Sequence, residues 1–167
     1  LLLDAITLLP EDIVKKWKFI FIGPSTEAFI QAVKNFKEKY PEKANSIIMT
    51  GNITDRTQLY TYCRRAKIIC MTSRSESTCI STLESMYFGA YPIITNYSDF
   101  ALDTTNRGNC GTIVENGNSD KLSAELYNAM VDNDLLSKCI ISQNYARKMF
   151  DYNELSKKLV EMLENMN

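Results

Sequence analysis

The stretch that decides the fold is IICMTSRSESTCISTLESMYFGAYPIIT, residues 68–95. It begins with an apolar run typical of a buried strand, and a loop of short hydroxyl residues that suit a helix N-cap follows. The next segment is predicted to be a helix that Gly89 ends, and Pro92 is predicted to open the following strand, where a missing N–H group does least harm. The helix is predicted to present one apolar face: Ile80, Leu83, Tyr87 and Phe88.

The start of this helix is a candidate anion site, because the first N–H groups of a helix and the positive end of its dipole favour phosphate. Two carboxylates flank it, Glu76 just before the helix and Glu84 eight residues later. Within the helix, Glu84 is predicted to stand roughly two turns from the phosphate-binding end. A carboxylate there accepts hydrogen bonds from a vicinal diol such as ribose, and Glu76 would do the same for a sugar beyond the phosphates.

At these residues the chain resembles retaining glycosyltransferases of the GT-B fold, of the family 4 (glycosyl transferases group 1) type. The E-x7-E pattern of that family is roughly S-x-x-E-g-f-g-l-v-x-l-E-a-m-a-x-G-x-P-V-I-a-T. The chain departs from it at Thr78, Cys79 and Tyr91, which leaves both glutamates and the helix intact. The positions that match in place are Ser73, Glu76, Ile80, Leu83, Glu84, Met86, Gly89, Pro92, Ile93, Ile94 and Thr95.

The resemblance covers nearly the whole chain and implies an α/β fold with a doubly wound, Rossmann-like parallel sheet, the C-terminal half of a GT-B enzyme. Strands that alternate with helices at short spacing favour the same fold. The implied reaction moves a sugar from a nucleoside diphosphate sugar to a glycan or lipid-linked acceptor, with retention of the anomeric configuration. The implied enzyme is a hexosyltransferase of polysaccharide biosynthesis.

The resemblance also implies roles for individual residues. Glu76 would be the catalytic contact to the donor sugar, and Glu84 would hold the ribose. The other implied donor-binding positions are Ser73, Arg74, Ser77, Thr78, Cys79, Ile80, Ser81, Gly23, Gly51 and Ile53. For residues 51–53 the alternative is a plain turn between strand and helix. No metal or other cofactor is implied, because the helix dipole and basic side chains would serve the leaving diphosphate.

The composition excludes several other classes. The chain has 167 residues, a net charge of −1 and no histidine, which removes histidine-based triads and most zinc sites. Its basic residues are scattered, so nucleic acid is not an expected partner. No run approaches transmembrane length and no signal peptide is present. The five cysteines lack metal-site spacing and are predicted to be reduced thiols in the core of a cytoplasmic protein.

The first residues predict that the chain is part of a longer one. Residues 1–9 already have a helical pattern with no cap before them, so residues 1–167 are predicted to be a single nucleotide-sugar-binding domain that lacks its first strand. By resemblance, an N-terminal acceptor-binding domain and a G-R-x-x-x-x-K segment that clasps the diphosphate would precede it. We expect no transferase activity and weak nucleotide binding from this fragment alone. Contact with the inner membrane face would come through the missing domain.

The remaining patterns predict further helices and strands. Strands are predicted at residues 17–22, 46–51 and 108–114, and Ser25 or Thr26 is predicted to cap one helix and Thr54 another that runs from 55 to 65. The D-x-D spelling at 132–134 is read as a turn and cap, and residues 150–152 resemble the family's f-s-w step. The last two helices are predicted to carry apolar stripes that pack in the core or form the seam against the missing domain: Leu136, Ile140, Tyr145, Leu155, Leu159, Met162 and Leu163.

Two other functions fit the same residues. A non-catalytic interaction domain of doubly wound fold would carry Glu76 and Glu84 as decoration on a helix. A GT-B-fold sugar-nucleotide epimerase would bind the same donor and perform different chemistry. Binding of a nucleoside diphosphate separates the first alternative from a transferase, and product analysis separates the second.

Overall fold

The computed structural model describes residues 1–149 and 151–165. Strands and helices alternate through most of the chain. The strands are β1 (Phe19–Ile22), β2 (Ile47–Gly51), β3 (Ile68–Met71), β4 (Tyr91–Thr95) and β5 (Thr112–Val114). The helices are α1 (Leu2–Leu8), α2 (Glu11–Val14), α3 (Glu27–Lys39), α4 (Pro41–Ala44), α5 (Arg56–Arg65), α6 (Ile80–Tyr87), α7 (Phe100–Thr104), α8 (Ser119–Val131), α9 (Leu135–Met149) and α10 (Tyr152–Glu164).

All paired strands run parallel, as predicted. β1 pairs with β2, and β4 lies between β3 and β5 in a second hydrogen-bonded group. Because parallel neighbours need crossover connections, each strand is joined to the next through a helix. The strands therefore end at a common edge, the place where an open α/β sheet binds ligands.

The core lies on both faces of the strands. Ile93 and Ile94 are consecutive in β4, so their side chains point to opposite faces. Ile93 belongs to a large cluster with residues of α1, α3 and α8, whereas Ile94 packs with Cys79 and Ala101. A third cluster joins α6 and α9 beside β3. Helices on both faces are what a doubly wound fold requires.

Pro92 does not open β4, as the sequence predicted, but is its second residue. Tyr91 donates its N–H to Lys67, and the pairing of β4 with β5 starts only at Ile93 opposite Thr112. The missing N–H of Pro92 therefore faces no strand. Gly111 passes so close that a Cβ there would lie 2.5 Å from the Pro92 ring, which excludes any larger residue.

The predicted apolar face of α6 is wrong in part. Ile80 is 61% exposed and Tyr87 41% exposed, and the buried positions are Thr82, Leu83, Ser85 and Met86. The reason is that α9 packs against the inner face of this short helix, which leaves its two terminal apolar residues at the rim. The predicted end at Gly89 is confirmed, because Gly89 has a φ of +103° and the next N–H, of Ala90, returns to Ser85 at 3.0 Å.

The predicted stripes of the last two helices are mostly exposed, although Tyr145 packs against the cluster that joins α6 and α9. In α9 the buried positions are Leu135, Cys139, Ser142 and Ala146. Leu136 is 73% exposed and Ile140 51% exposed, so the stripe was placed about one residue off. The four predicted residues of α10 are exposed as well. Phe150, in the predicted link between the two helices, lies outside the described residues.

The local signals for caps and turns were mostly reliable. Thr26 caps α3 by accepting from the Phe29 N–H, as predicted. Asp55, not Thr54, caps α5, because its carboxylate reaches the Thr57 N–H at 2.9 Å. Asp132 accepts from the Asp134 N–H and from Lys138, which confirms a turn and cap at residues 132–134.

The cysteines are free thiols, and four of the five are buried. Cys70 is the half-buried one, but its thiol is shielded from water, and this desolvation raises the pKa of Cys70 to about 12. No helix in residues 1–149 and 151–165 combines the length and the apolar character that crossing a membrane requires.

Candidate functional site

Gly23 and Gly51 meet at the carboxyl edge of the strands. The Gly23 N–H donates to the Gly51 carbonyl at 2.9 Å, and both residues have positive φ values, +129° and +69°. No atom lies within 4 Å of where a Cβ would stand at either residue, so this backbone faces open space. Ile53, two residues beyond, is half-buried. The structure thus brings together two of the three predicted residues on this side.

The loop after β3 is held by the two neighbouring strands. Thr95, fully buried at the end of β4, donates its hydroxyl to the Ser73 carbonyl at 2.5 Å. The Asn116 amide, just beyond β5, donates to the carbonyls of Arg74 and Asn96 at 3.1 and 3.2 Å. Loop 72–79 is therefore fixed from the ends of β4 and β5. The sequence predicted a turn and cap at residues 116–120 and no contact of Asn116 with this loop, although a polar residue two positions after a strand was the available signal.

Glu76 is oriented from within this loop. Its carboxylate is half-buried and accepts a 2.7 Å hydrogen bond from the Ser73 hydroxyl. Ser77 and Thr78 follow it on the surface. A carboxylate held in this way keeps its second oxygen for a ligand hydroxyl.

The start of α6 is open, but its geometry differs from the prediction. No hydroxyl residue of the loop caps it; Cys79 stands at the N-cap position in a left-handed conformation, with a φ of +39°. The Cys79 sulfur lies 3.0 Å from the Thr82 hydroxyl and is buried against Ile94 and Tyr97. Within the described part of the chain no side chain caps this end, so the first N–H groups of the helix remain available to an anion.

Glu84 lies about one helical turn inside α6, not two, because the helix begins only at Ile80. Its side chain is 27% exposed, and Oε1 lies 2.6 Å from a terminal nitrogen of Arg56, the first residue of α5. The carboxylate raises the pKa of Arg56 above its ordinary value, through this hydrogen bond first. Glu84 also lines a cavity of about 280 Å³ together with Tyr60, Tyr87 and Phe88.

The two glutamates therefore have different surroundings. Glu76 is bonded to Ser73 of its own loop, whereas Glu84 is paired with Arg56 of another helix. The sequence predicted the spacing of the two glutamates but neither of these contacts with their carboxylates. Arg74 is exposed within loop 72–79.

The comparisons with known proteins identify the family. The model of the glycosyl transferases group 1 matches residues 1–149. The chain belongs to the glycosyl transferases group 1 family. This confirms the predicted family, and the parallel α/β fold agrees with the C-terminal, Rossmann-like domain of GT-B enzymes.

Solved structures show the same fold at low identity. The HepE protein of Anabaena in complex with UDP is 19% identical, with a TM-score of 0.76 over 98% of this chain and 44% of its own. WaaG, a glycosyltransferase involved in lipopolysaccharide biosynthesis, is 18% identical, with a TM-score of 0.75 over 96% of this chain and 41% of its own. The C-terminal domain of LpcC from Francisella tularensis is 19% identical, with a TM-score of 0.73 over 90% of this chain and 77% of that domain structure. No curated protein matches the sequence. The chain thus spans less than half the length of HepE and WaaG.

Proposed function

We propose that residues 1–167 bind the nucleoside diphosphate sugar donor of a retaining hexosyltransferase. The observation that carries this proposal is the uncapped start of α6, which lies between Glu76 and Glu84 in the sequence. An anion site between two hydrogen-bond acceptors suits a molecule with a diphosphate in the middle and a sugar on each side.

The diphosphate would lie against residues 77–81. The open N–H groups of α6 are fixed dipoles, and they stabilise the negative charge that develops on the leaving diphosphate as the glycosidic bond breaks. Loop 72–79 is anchored by Thr95 and Asn116, so these groups need little reorganisation. Arg74, exposed in this loop, would add positive charge.

Glu84 would bind the ribose, and the open backbone at Gly23 and Gly51, followed by Ile53, would face the base. A carboxylate accepts both hydroxyl groups of a vicinal diol, and the 27% exposure of Glu84 leaves it accessible. Glu76 would contact hydroxyls of the donor sugar, where its bond from Ser73 fixes its orientation.

The donor class is supported by a relative. HepE has been solved with UDP-glucose, so this fold holds a nucleoside diphosphate hexose in that protein. For this chain we propose a donor of that class and a glycan or lipid-linked acceptor. WaaG is involved in lipopolysaccharide biosynthesis, which supports a role in polysaccharide assembly. A location of this role in the cytoplasm, at the inner face of the membrane, is part of the same proposal.

We further propose that the domain is completed by chain outside residues 1–167. β1 and β3 belong to separate hydrogen-bonded groups, so each has an edge without a partner among the described strands. An additional parallel strand between them would join the five strands into one sheet, and an acceptor domain would cover the exposed stripe of α10. Hydrogen exchange tests this: the amides of β1 and β3 that do not bond to β2 or β4 should be protected in the intact protein and unprotected in residues 1–167, which alone should be inactive.

The function is tested with the intact protein and hexose donors of UDP, GDP and ADP. We expect transfer from one of them, with a product of retained anomeric configuration by nuclear magnetic resonance, and loss of transfer in Glu76→Gln. If no nucleoside diphosphate binds, the interaction-domain alternative is correct. If the donor is isomerised and no sugar is transferred, the epimerase alternative is correct.

A further inference from the structure

Arg56 is paired with Glu84, the residue whose carboxylate the proposed function assigns to the ribose. One terminal nitrogen of its guanidinium lies 2.6 Å from Oε1 of Glu84 and 3.4 Å from the Tyr60 hydroxyl. The guanidinium carbon lies 6.0 Å from the centre of the Tyr60 ring. Arg56 is therefore held to α6 by Glu84 and to its own helix, α5, by Tyr60.

The geometry of the pair makes it breakable. The Arg56 side chain is 67% exposed, and a single nitrogen makes the bond, so the fork-like double contact of the strongest arginine–carboxylate pairs is absent from this pair. A pair whose cation is this exposed contributes little to stability, because water solvates the guanidinium well. A ligand that offers two hydroxyl groups to Glu84 meets only a small cost when it replaces Arg56.

We propose that Arg56 is an exchangeable counter-ion of the nucleotide site: it pairs with Glu84 in the unliganded protein and leaves Oε1 when a ribose diol binds. This inference rests on the proposed function of Glu84. It adds that the two helices α5 and α6 are linked by an ion pair only while the site is empty. Breaking the pair is then part of the free energy of binding.

The proposed exchange predicts the direction in which a mutation of Arg56 changes the affinity for nucleotide. Removal of the guanidinium should tighten nucleotide binding, since Glu84 no longer has to give up a partner. For an exposed ion pair the expected gain is about two- to fivefold in affinity. High salt weakens exposed ion pairs, so the gain should shrink at 0.5 M salt, an ionic strength at which charges are screened within about 5 Å.

The test is calorimetric titration of UDP, with GDP and ADP in parallel, into the intact protein and its Arg56→Gln variant. Arg64→Gln is the matched control, because Arg64 lies on the same helix over the Phe88 ring and makes no described contact with Glu84. We expect tighter binding in Arg56→Gln, unchanged binding in Arg64→Gln, and no effect of Arg56→Gln when Glu84→Ala is also present.

Different results would contradict the proposed ribose contact of Glu84 and the proposed exchange of Arg56. If Glu84→Ala leaves binding unchanged, or if none of the nucleotides binds, the ribose contact is wrong and the exchange is wrong with it. If Glu84→Ala weakens binding but Arg56→Gln weakens it too, Arg56 contacts the ligand directly, and the exchange alone is overturned. Unchanged affinity in Arg56→Gln at low salt overturns it as well.

Discussion

The Ser73 hydroxyl donates a 2.7 Å hydrogen bond to the Glu76 carboxylate, three residues ahead in the same loop. The Ser73 carbonyl in turn accepts from the buried Thr95 hydroxyl. The carboxylate that faces the proposed donor sugar is thus oriented by a residue that β4 itself holds in place.

Replacement of Ser73 by alanine should lower kcat about tenfold and leave the affinity for UDP nearly unchanged. The substitution removes a hydrogen bond to a charged group, which is worth about 1.5–3 kcal/mol in a protected site and less where water can replace it. In the proposed arrangement the nucleoside would lie on the other side of the diphosphate from Glu76, so the affinity for UDP should not depend on this carboxylate. Steady-state kinetics and calorimetry with the intact protein measure the two quantities.

Ser75→Ala is the control for this prediction, since Ser75 is exposed in the same loop. Equal losses of kcat in both variants would mean that the loop tolerates no substitution. Such a result would remove the specific role of Ser73.

The buried Lys43 makes hydrogen bonds whose loss should lower the stability of the protein measurably. It is only 5% exposed, and its ammonium group donates to the carbonyls of Ile6, Thr7 and Leu9 at the end of α1. Lys43→Met keeps the size of the side chain and removes all three bonds, so the carbonyls lose their donor while buried. We expect the free energy of unfolding to fall by about 2–3 kcal/mol, measured by thermal denaturation of the intact protein.

The matched control is Lys16→Met, at an exposed position. A surface substitution of this kind changes stability by less than about 0.5 kcal/mol. If Lys43→Met and Lys16→Met denature at the same temperature, the three carbonyls are satisfied by water and Lys43 does not cap α1.

Cys70 should resist alkylation in the folded protein. Burial raises the pKa of its thiol to about 12, and the thiolate is the form that reacts. At pH 8.5 we expect iodoacetamide to leave Cys70 unmodified in the native protein and to modify all five cysteines after unfolding, as read by peptide mass spectrometry. Modification of Cys70 at the same rate in both states would contradict the shielding of its thiol from water.

The sequence predicted features that depend on neighbours in the chain. The strands could be located because apolar runs end at turn residues. The end of α6 could be located because, among the residue types, glycine readily adopts the φ of +103° that Gly89 has. The spacing of Glu76 and Glu84 pointed to one site for the same reason. Resemblance to a family added the ligand class, which periodicity by itself does not contain.

Features that depend on packing between distant elements were missed. Arg56 and Glu84 are 28 residues apart, and only the packing of α5 on α6 brings them together. In the sequence Lys43 resembles a surface lysine, and only the fold shows that it contacts the end of α1. The exposed face of α9 was misassigned because apolar residues occur on both sides of that helix, so the pattern does not say which side meets the sheet.

The central claim is that Glu84 binds the ribose of a nucleoside diphosphate. The most direct test is calorimetric titration of UDP, GDP and ADP into the intact protein and its Glu84→Ala variant, with Glu38→Ala, an exposed glutamate of α3, as control. A charge-assisted contact to a diol is worth about 1.5–3 kcal/mol, so one nucleotide should bind about ten- to a hundredfold more weakly to Glu84→Ala and normally to Glu38→Ala. Equal affinity in all three folded proteins would contradict the account.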